Sequence, residues 1–214
     1  GTAAVVSGNQ AASGLPTRNW TSGVFEHADA ISGAAMKKTI LVKNEACWAC
    51  AIRCKRVVKA DEPYVVDPAY GGPEYESIGA LGSYLEIGDL VAVSKATELC
   101  NRYGLDTIST GGTLAFAMEC YENGIITSGD TGGLELKFGN ADAALKMIEA
   151  IAHRKGIGDV LAEGSARAAA RFGKGAERFA VCVKGQEFPA HMPRVKGSLA
   201  LAYACNPFGA DHQS

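Results

Sequence analysis

Three of the seven cysteines fall within eight residues, Cys47-Trp48-Ala49-Cys50-Ala51-Ile52-Arg53-Cys54, and no other feature constrains the chain as strongly. A Cys-x-x-Cys turn points two thiolates at one metal, and a third cysteine four residues on adds a sulfur about one helical turn away. Three thiolates from one short segment suit an iron–sulfur cluster whose fourth ligand comes from elsewhere. Arg53, Lys55 and Arg56 offset the negative charge of such a cluster. Zinc is the rival metal, but structural zinc usually takes two separated ligand pairs, and no second Cys or Cys/His pair is present. Simple buried thiols are the third reading. The odd cysteine count disfavours a secreted disulfide scaffold and points to a reducing, cytoplasmic setting. Cys100, Cys120, Cys182 and Cys205 stand in apolar context and read as plain buried thiols.

A formal net charge of -2 lacks the basic excess of a dedicated nucleic-acid binder, so no nucleic-acid partner is expected. No apolar run approaches the ~20 residues that span a bilayer. Aromatics are 7% while glycines number 26, which favours helices joined by tight turns over a β-sandwich. Residues 1–33 read as loops without a sustained period. Thr39 to Lys43 is β-prone, and Val57-Val58 and Tyr64 to Val66 read as short extended segments around Asp61-Glu62-Pro63. Helical periodicity then takes over. Asp89 caps a helix to Tyr103 that Gly104 closes, and Ser109 or Thr110 opens a second, ending at Asn123-Gly124. Asn140 caps a third to Lys155, and Asp159 to Phe172 reads as one more. Phe179 to Val183 looks like a strand, and Ser198 to Cys205 a last helical segment stopped by Pro207. The fold class is mainly α with minor β. Both ends read as cut from a longer protein.

The motifs in their order resemble the tungsten-dependent aldehyde ferredoxin oxidoreductase family. The resemblance is carried by Leu15-Pro16-Thr17-Arg18-Asn19-Trp20, the three clustered cysteines, and Gly72-Pro73-Glu74-Tyr75-Glu76 with Ala80-Leu81-Gly82. Asn101-Arg102-Tyr103-Gly104-Leu105-Asp106, Met118 to Gly124, and Phe208-Gly209-Ala210-Asp211-His212 continue it. It implies a helical domain of the aldehyde ferredoxin oxidoreductase type: essentially the family's middle domain over about residues 1–180, with the start of its C-terminal domain over 181–214. It implies that Cys47, Cys50 and Cys54 ligate a [4Fe-4S] cluster. Asn101, Gly104, Leu105 and Asp106 would contact the pterin of a tungsten (or molybdenum) bis-pterin centre, and Glu76 and His212 would be catalytic pocket residues. Two positions depart from the family pattern. Asn101 stands where Asp is usual, and Ala190-His191-Met192-Pro193-Arg194 lacks the Asp of an Asp-Pro-Arg sequence.

The activity so implied is oxidation of a small aldehyde or related oxo substrate to a carboxylate. Electrons would pass through the cluster to ferredoxin or a similar acceptor, and a homo-oligomer stays open. The alternative is an iron–sulfur electron-transfer or scaffold subunit without metal–pterin chemistry of its own. The isolated chain is expected to be inactive and to hold neither cluster nor pterin. Taken alone, Glu76 reads as a helix N-terminal carboxylate, with Glu74 a rival for the pocket, and His212 as half of a structural pair with Asp211. His27, His153 and His191 have no partner at metal-ligand spacing and read as structural or solvent-facing. Gly111-Gly112 and Gly132-Gly133 lack the dinucleotide fingerprint.

Overall fold

A computed structural model describes residues 1–213. The expected class holds: among the described residues helices dominate, and the named strands form two short antiparallel hairpins. The first 33 residues differ from the expected loops, because helix α1 spans Val5–Ala11 after a tight turn over Thr2–Ala4. The reason is burial rather than propensity. Ala3 and Val6 are fully buried, so packing stabilises a helix too short to form alone. Helix α2, Gly33–Thr39, starts where Ser32 Oγ accepts a hydrogen bond from Ala35 N at 3.1 Å.

Strands β1, Leu41–Glu45, and β2, Lys55–Val58, pair antiparallel from Leu41 opposite Val58 to Glu45 opposite Lys55. The clustered cysteines lie in the connection between them. Tyr64 to Val66 forms no strand, only one bridge between Ala60 and Val66. Glu98 ties this region down. Its buried carboxylate accepts from Asp67 N at 2.8 Å, Lys95 Nζ at 2.9 Å and Arg102 at 2.7 Å.

Helix α3, Tyr75–Leu81, lies at the centre, and every one of its residues except Glu76 is buried. Helix α4, Leu90–Tyr103, has the expected cap, with Asp89 Oδ1 accepting from Val91 N at 2.8 Å. Gly104 closes it at φ 69°, a left-handed conformation that costs glycine least. Helix α5, Thr107–Glu122, begins earlier than expected, because Asp106 rather than Ser109 or Thr110 caps it. Asp106 accepts from Ile108 N at 3.3 Å and Ser109 N at 2.9 Å. Helix α5 presses on α3 so closely that a Cβ on Gly111 would lie 2.3 Å from Ala80 O. That contact explains this glycine without any nucleotide.

Helix α6, Ala141–Ala152, is capped by Asn140 as expected. The helix expected over 159–172 is two: α7, Ile157–Leu161, and α8, Ser165–Phe172, separated by Gly164 at φ 86°. Strands β3, Cys182–Val183, and β4, Gln186–Glu187, form the second hairpin. The run 176–179 before it is a tight helical turn rather than strand. Helix α9, Gly197–Cys205, ends the chain's regular structure near its expected bounds. One continuous core joins these elements, with Ile78, Leu81, Leu114 and Phe116 fully buried in it. No helix among the described residues is long and apolar enough to cross a membrane.

Candidate functional site

Glu76 is the one residue of α3 that is not buried, and it stands in the helix's first turn, where a carboxylate is favoured by the unpaired N–H groups. Its neighbour Glu74 is used otherwise. Glu74 Oε2 accepts from Thr2 N at 2.7 Å and from the Thr2 hydroxyl, which removes it as the rival pocket residue. Glu76 instead meets the segment after β4. Its Oε2 accepts from Ala190 N at 2.6 Å, and its Oε1 lies 2.9 Å from His191 Nε2 and 3.6 Å from His212 Nε2. Oε1 is buried yet makes no aligned hydrogen bond to either imidazole. A buried carboxylate oxygen without such a bond keeps accepting capacity for a substrate proton.

Three tyrosines hold this constellation. The Tyr75 hydroxyl donates to Ala190 O, Tyr84 donates to Phe188 O at 3.0 Å, and Tyr203 donates to His191 O at 3.4 Å. Burial pushes all three phenols well up, and the nearby Glu76 charge pushes the same way. They therefore stay protonated donors at any working pH. The His191 ring lies 5.4 Å from Tyr75 and 5.0 Å from His212, centre to centre. His191 was expected to be structural or solvent-facing, and the structure corrects this by placing it against Glu76. No local signal marks His191, since the departure from the Asp-Pro-Arg pattern falls on the neighbouring Met192; its proximity to Glu76 is a tertiary fact.

His212 opens on a cleft of about 90 Å³ that Asp106, Ser109, Gln186, Glu187 and Asp211 also line. Asp106 thus shares a cavity with His212 while capping α5. Leu105 and Asp106 also border a second hollow, of about 150 Å³, between α5 and α7. Gly104 is the α4 closing residue, and Leu105 N donates to Cys100 O at 2.8 Å. Asn101 is exposed on α4, and its Nδ2 donates to Tyr70 O at 3.0 Å. His27 and His153 make edge-on ring contacts with Phe25 and Tyr103, in keeping with structural roles.

The cysteine loop is accessible. Cys47 and Cys54 are exposed, Cys50 is half-buried, all three are free thiols, and Trp48 is 99% exposed. Cys50 N donates to Cys47 O at 3.0 Å, closing the Cys-x-x-Cys turn, and Ala49 and Arg53 take left-handed φ values of 56° and 53°. The loop ends beside the start of α3. A Cβ on Gly1 would lie 2.8 Å from Cys54 O and 3.1 Å from Glu74 Oε1, so one residue separates the loop from the turn carrying Glu76.

Of the scattered cysteines, Cys100 and Cys120 are buried as expected, and burial pushes both thiols up to about 12. Cys182 is only half-buried, and Cys205 is exposed, because α9 turns Tyr203 rather than Cys205 into the core. Brief treatment with iodoacetamide near neutral pH is expected to alkylate Cys47, Cys54 and Cys205 and to spare Cys100 and Cys120, as read by peptide mass spectrometry. The thiolate is the nucleophile, and a thiol shifted up to about 12 supplies almost none. Labelling of Cys100 as fast as Cys47 would contradict this.

The family model described as aldehyde ferredoxin oxidoreductase, domains 2 & 3, matches residues 1–214. The chain belongs to the aldehyde ferredoxin oxidoreductase family. It is 47% identical over 198 residues to a tungsten-containing aldehyde ferredoxin oxidoreductase of Thermococcus kodakarensis, covering 92% of this chain and 32% of that protein. A relative of the same description from Pyrococcus abyssi is 47% identical over 203 residues, with the same coverage. An aliphatic sulfonate oxidoreductase, WOR-like subunit, of Pyrococcus furiosus is 32% identical over 210 residues, covering 93% of this chain and 33% of that one. The chain therefore spans about a third of the length of the curated relatives it matches. Among solved structures it is similar to the active site complex BamBC of benzoyl coenzyme A reductase in complex with 1,5-dienoyl-CoA. There the TM-score is 0.63 at 26% identity, over 76% of this chain and 24% of that one.

Proposed function

We propose that this chain is part of a tungsten–pterin oxidoreductase that oxidises a small aldehyde or related oxo substrate to a carboxylate. The observation that carries the reading is Glu76 Oε1, buried and without an aligned hydrogen bond, facing two imidazoles beside a cleft that Asp106 shares. An electron-transfer or scaffold subunit would need no such acid–base cluster. About residues 1–180 are assigned here to the middle domain and 181–214 to the start of the next, within a chain that the family model for domains 2 & 3 matches over residues 1–214.

The donor set fits the groups that the family implies. Cys47, Cys50 and Cys54 are free thiols on one accessible loop, suited to three ligands of a [4Fe-4S] cluster. Zinc lacks a second ligand pair near the loop in sequence. Asn101, Gly104, Leu105 and Asp106 are the residues proposed to meet the pterin. When bound, these groups supply two-electron oxidation and a one-electron relay toward a ferredoxin-class acceptor.

The protein's own contribution is proton handling. Glu76 Oε1 accepts the proton released as water adds to the carbonyl carbon, and His212 Nε2 donates a hydrogen bond to the substrate oxygen. The Ala190 N–H on Oε2 keeps the carboxylate from turning away. In sum, aldehyde and water give carboxylic acid, two protons and two electrons.

The test is expression of the full-length protein under anaerobic conditions with tungstate and molybdate supplied. Elemental analysis and aldehyde-dependent reduction of a viologen dye are then measured. Iron, tungsten or molybdenum, and dye reduction are expected together. Iron without either heavier metal, and no dye reduction, would favour the electron-transfer subunit instead.

A further inference from the structure

Lys196 Nζ lies 2.8 Å from His191 Nδ1. An ammonium has three N–H donors and no lone pair, so the ring nitrogen facing it must be the acceptor. The ring proton then belongs on Nε2, the nitrogen 2.9 Å from Glu76 Oε1. We infer that Lys196 and His191 form a positioning pair: Lys196 selects the Nε2–H tautomer of His191, which puts the ring proton on the nitrogen beside Glu76 Oε1 and leaves His212 as the imidazole available to substrate.

Three further observations support this assignment. The other carboxylate oxygen is already taken by Ala190 N, so the nitrogen that carries the His191 proton lies beside the one oxygen left for chemistry. The His191 carbonyl accepts from the Tyr203 hydroxyl and its ring lies against Tyr75, which holds the residue in this position. His212 lines the cleft, whereas His191 does not. The arrangement also decides against the rival use of these side chains. Glu76, His191 and His212 bring three ligand-type atoms within 4.8 Å of one another, the donor types of a two-histidine, one-carboxylate metal site. A metal-bound imidazole donates its second N–H to an acceptor, and Lys196 offers none. The consequence for catalysis rests on the function proposed above; the tautomer does not.

The test uses the 214-residue chain, whose core closes within its own residues, labelled with ¹⁵N-histidine. Long-range ¹H–¹⁵N correlation spectra report the protonated ring nitrogen, and His191→Gln assigns the signal by its loss. The wild type and Lys196→Arg are expected to show Nε2–H at His191, since a guanidinium is also donor-only. Lys196→Met keeps most of the aliphatic stem and removes the donor, so Nδ1–H should become populated. A predominant Nδ1–H tautomer in the wild type, or an unchanged pattern in Lys196→Met, overturns the inference. In the full-length enzyme, Lys196→Met should lower kcat by roughly tenfold or more with KM little changed, and Lys196→Arg should restore most of it. A full-length wild type without any aldehyde oxidation would remove the proposed function while leaving the tautomer result standing.

Discussion

Glu76→Gln in the full-length enzyme is expected to lower turnover by roughly 10²–10⁴-fold while iron and tungsten contents stay at wild-type values. Glutamine preserves the shape of the side chain, and its amide oxygen can still accept the Ala190 N–H that Oε2 now receives at 2.6 Å. The contact that holds the segment after β4 against α3 therefore survives. What is lost is the ability of the second oxygen to take a proton, and the amide N–H₂ now faces two imidazoles instead of a carboxylate. Steady-state kinetics with metal analysis of the same preparation separates the two roles that Glu76 combines. Unchanged turnover would make Glu76 a tether between α3 and Ala190 and nothing more.

Cys50→Ser should remove nearly all of the visible iron–sulfur absorbance from the full-length protein, with iron and acid-labile sulfide falling together. A serine hydroxyl in the same turn is a poor substitute for a thiolate toward iron. The substitution is otherwise mild, because Cys50 is half-buried in an accessible loop and the Cys50 N to Cys47 O hydrogen bond is between backbone atoms. Loss of iron with unchanged helical circular dichroism would place the defect at the ligand. Cys100→Ser serves as the control, since its thiol is buried on α4 away from the loop's own sequence. Full iron content in Cys50→Ser, measured on several preparations, would refute the ligand assignment.

Much of the helical framework was legible because its signals are local. Asp89 and Asn140 cap helices through hydrogen bonds to N–H groups two or three residues on, and Gly104 closes α4 with its own φ. The start of α5 is ambiguous in the sequence because Asp106, Ser109 and Thr110 can all cap a helix. Burial of Thr110 and the close approach of Gly111 to Ala80 settle the choice, and both depend on α3. The break between α7 and α8 was missed for a similar reason. The first N–H of α8, on Ser165, donates to Glu187 Oε1 at 2.7 Å, so a remote carboxylate on β4 supplies the cap. The helical turns at the amino-terminal end were missed because tertiary burial stabilises them.

The candidate site divides along the same line. The cysteine loop is encoded locally: its three thiols, their spacing and the turn joining Cys47 to Cys50 all lie within one short stretch. Glu76 and His212 are proposed as pocket residues through a resemblance to the family to which this chain belongs. Long-range packing, in contrast, spends Glu74 on Thr2 and brings His191 to Glu76 and Lys196 to His191. It also placed Asp106 on the cleft that His212 lines. The physical reason is distance along the chain. Glu76 and Ala190 stand 114 residues apart, and no local propensity encodes which oxygen a backbone N–H that far away will take. That pairing follows from buried tyrosines finding carbonyl partners as α3 packs beneath the segment after β4, a consequence of the whole core closing at once.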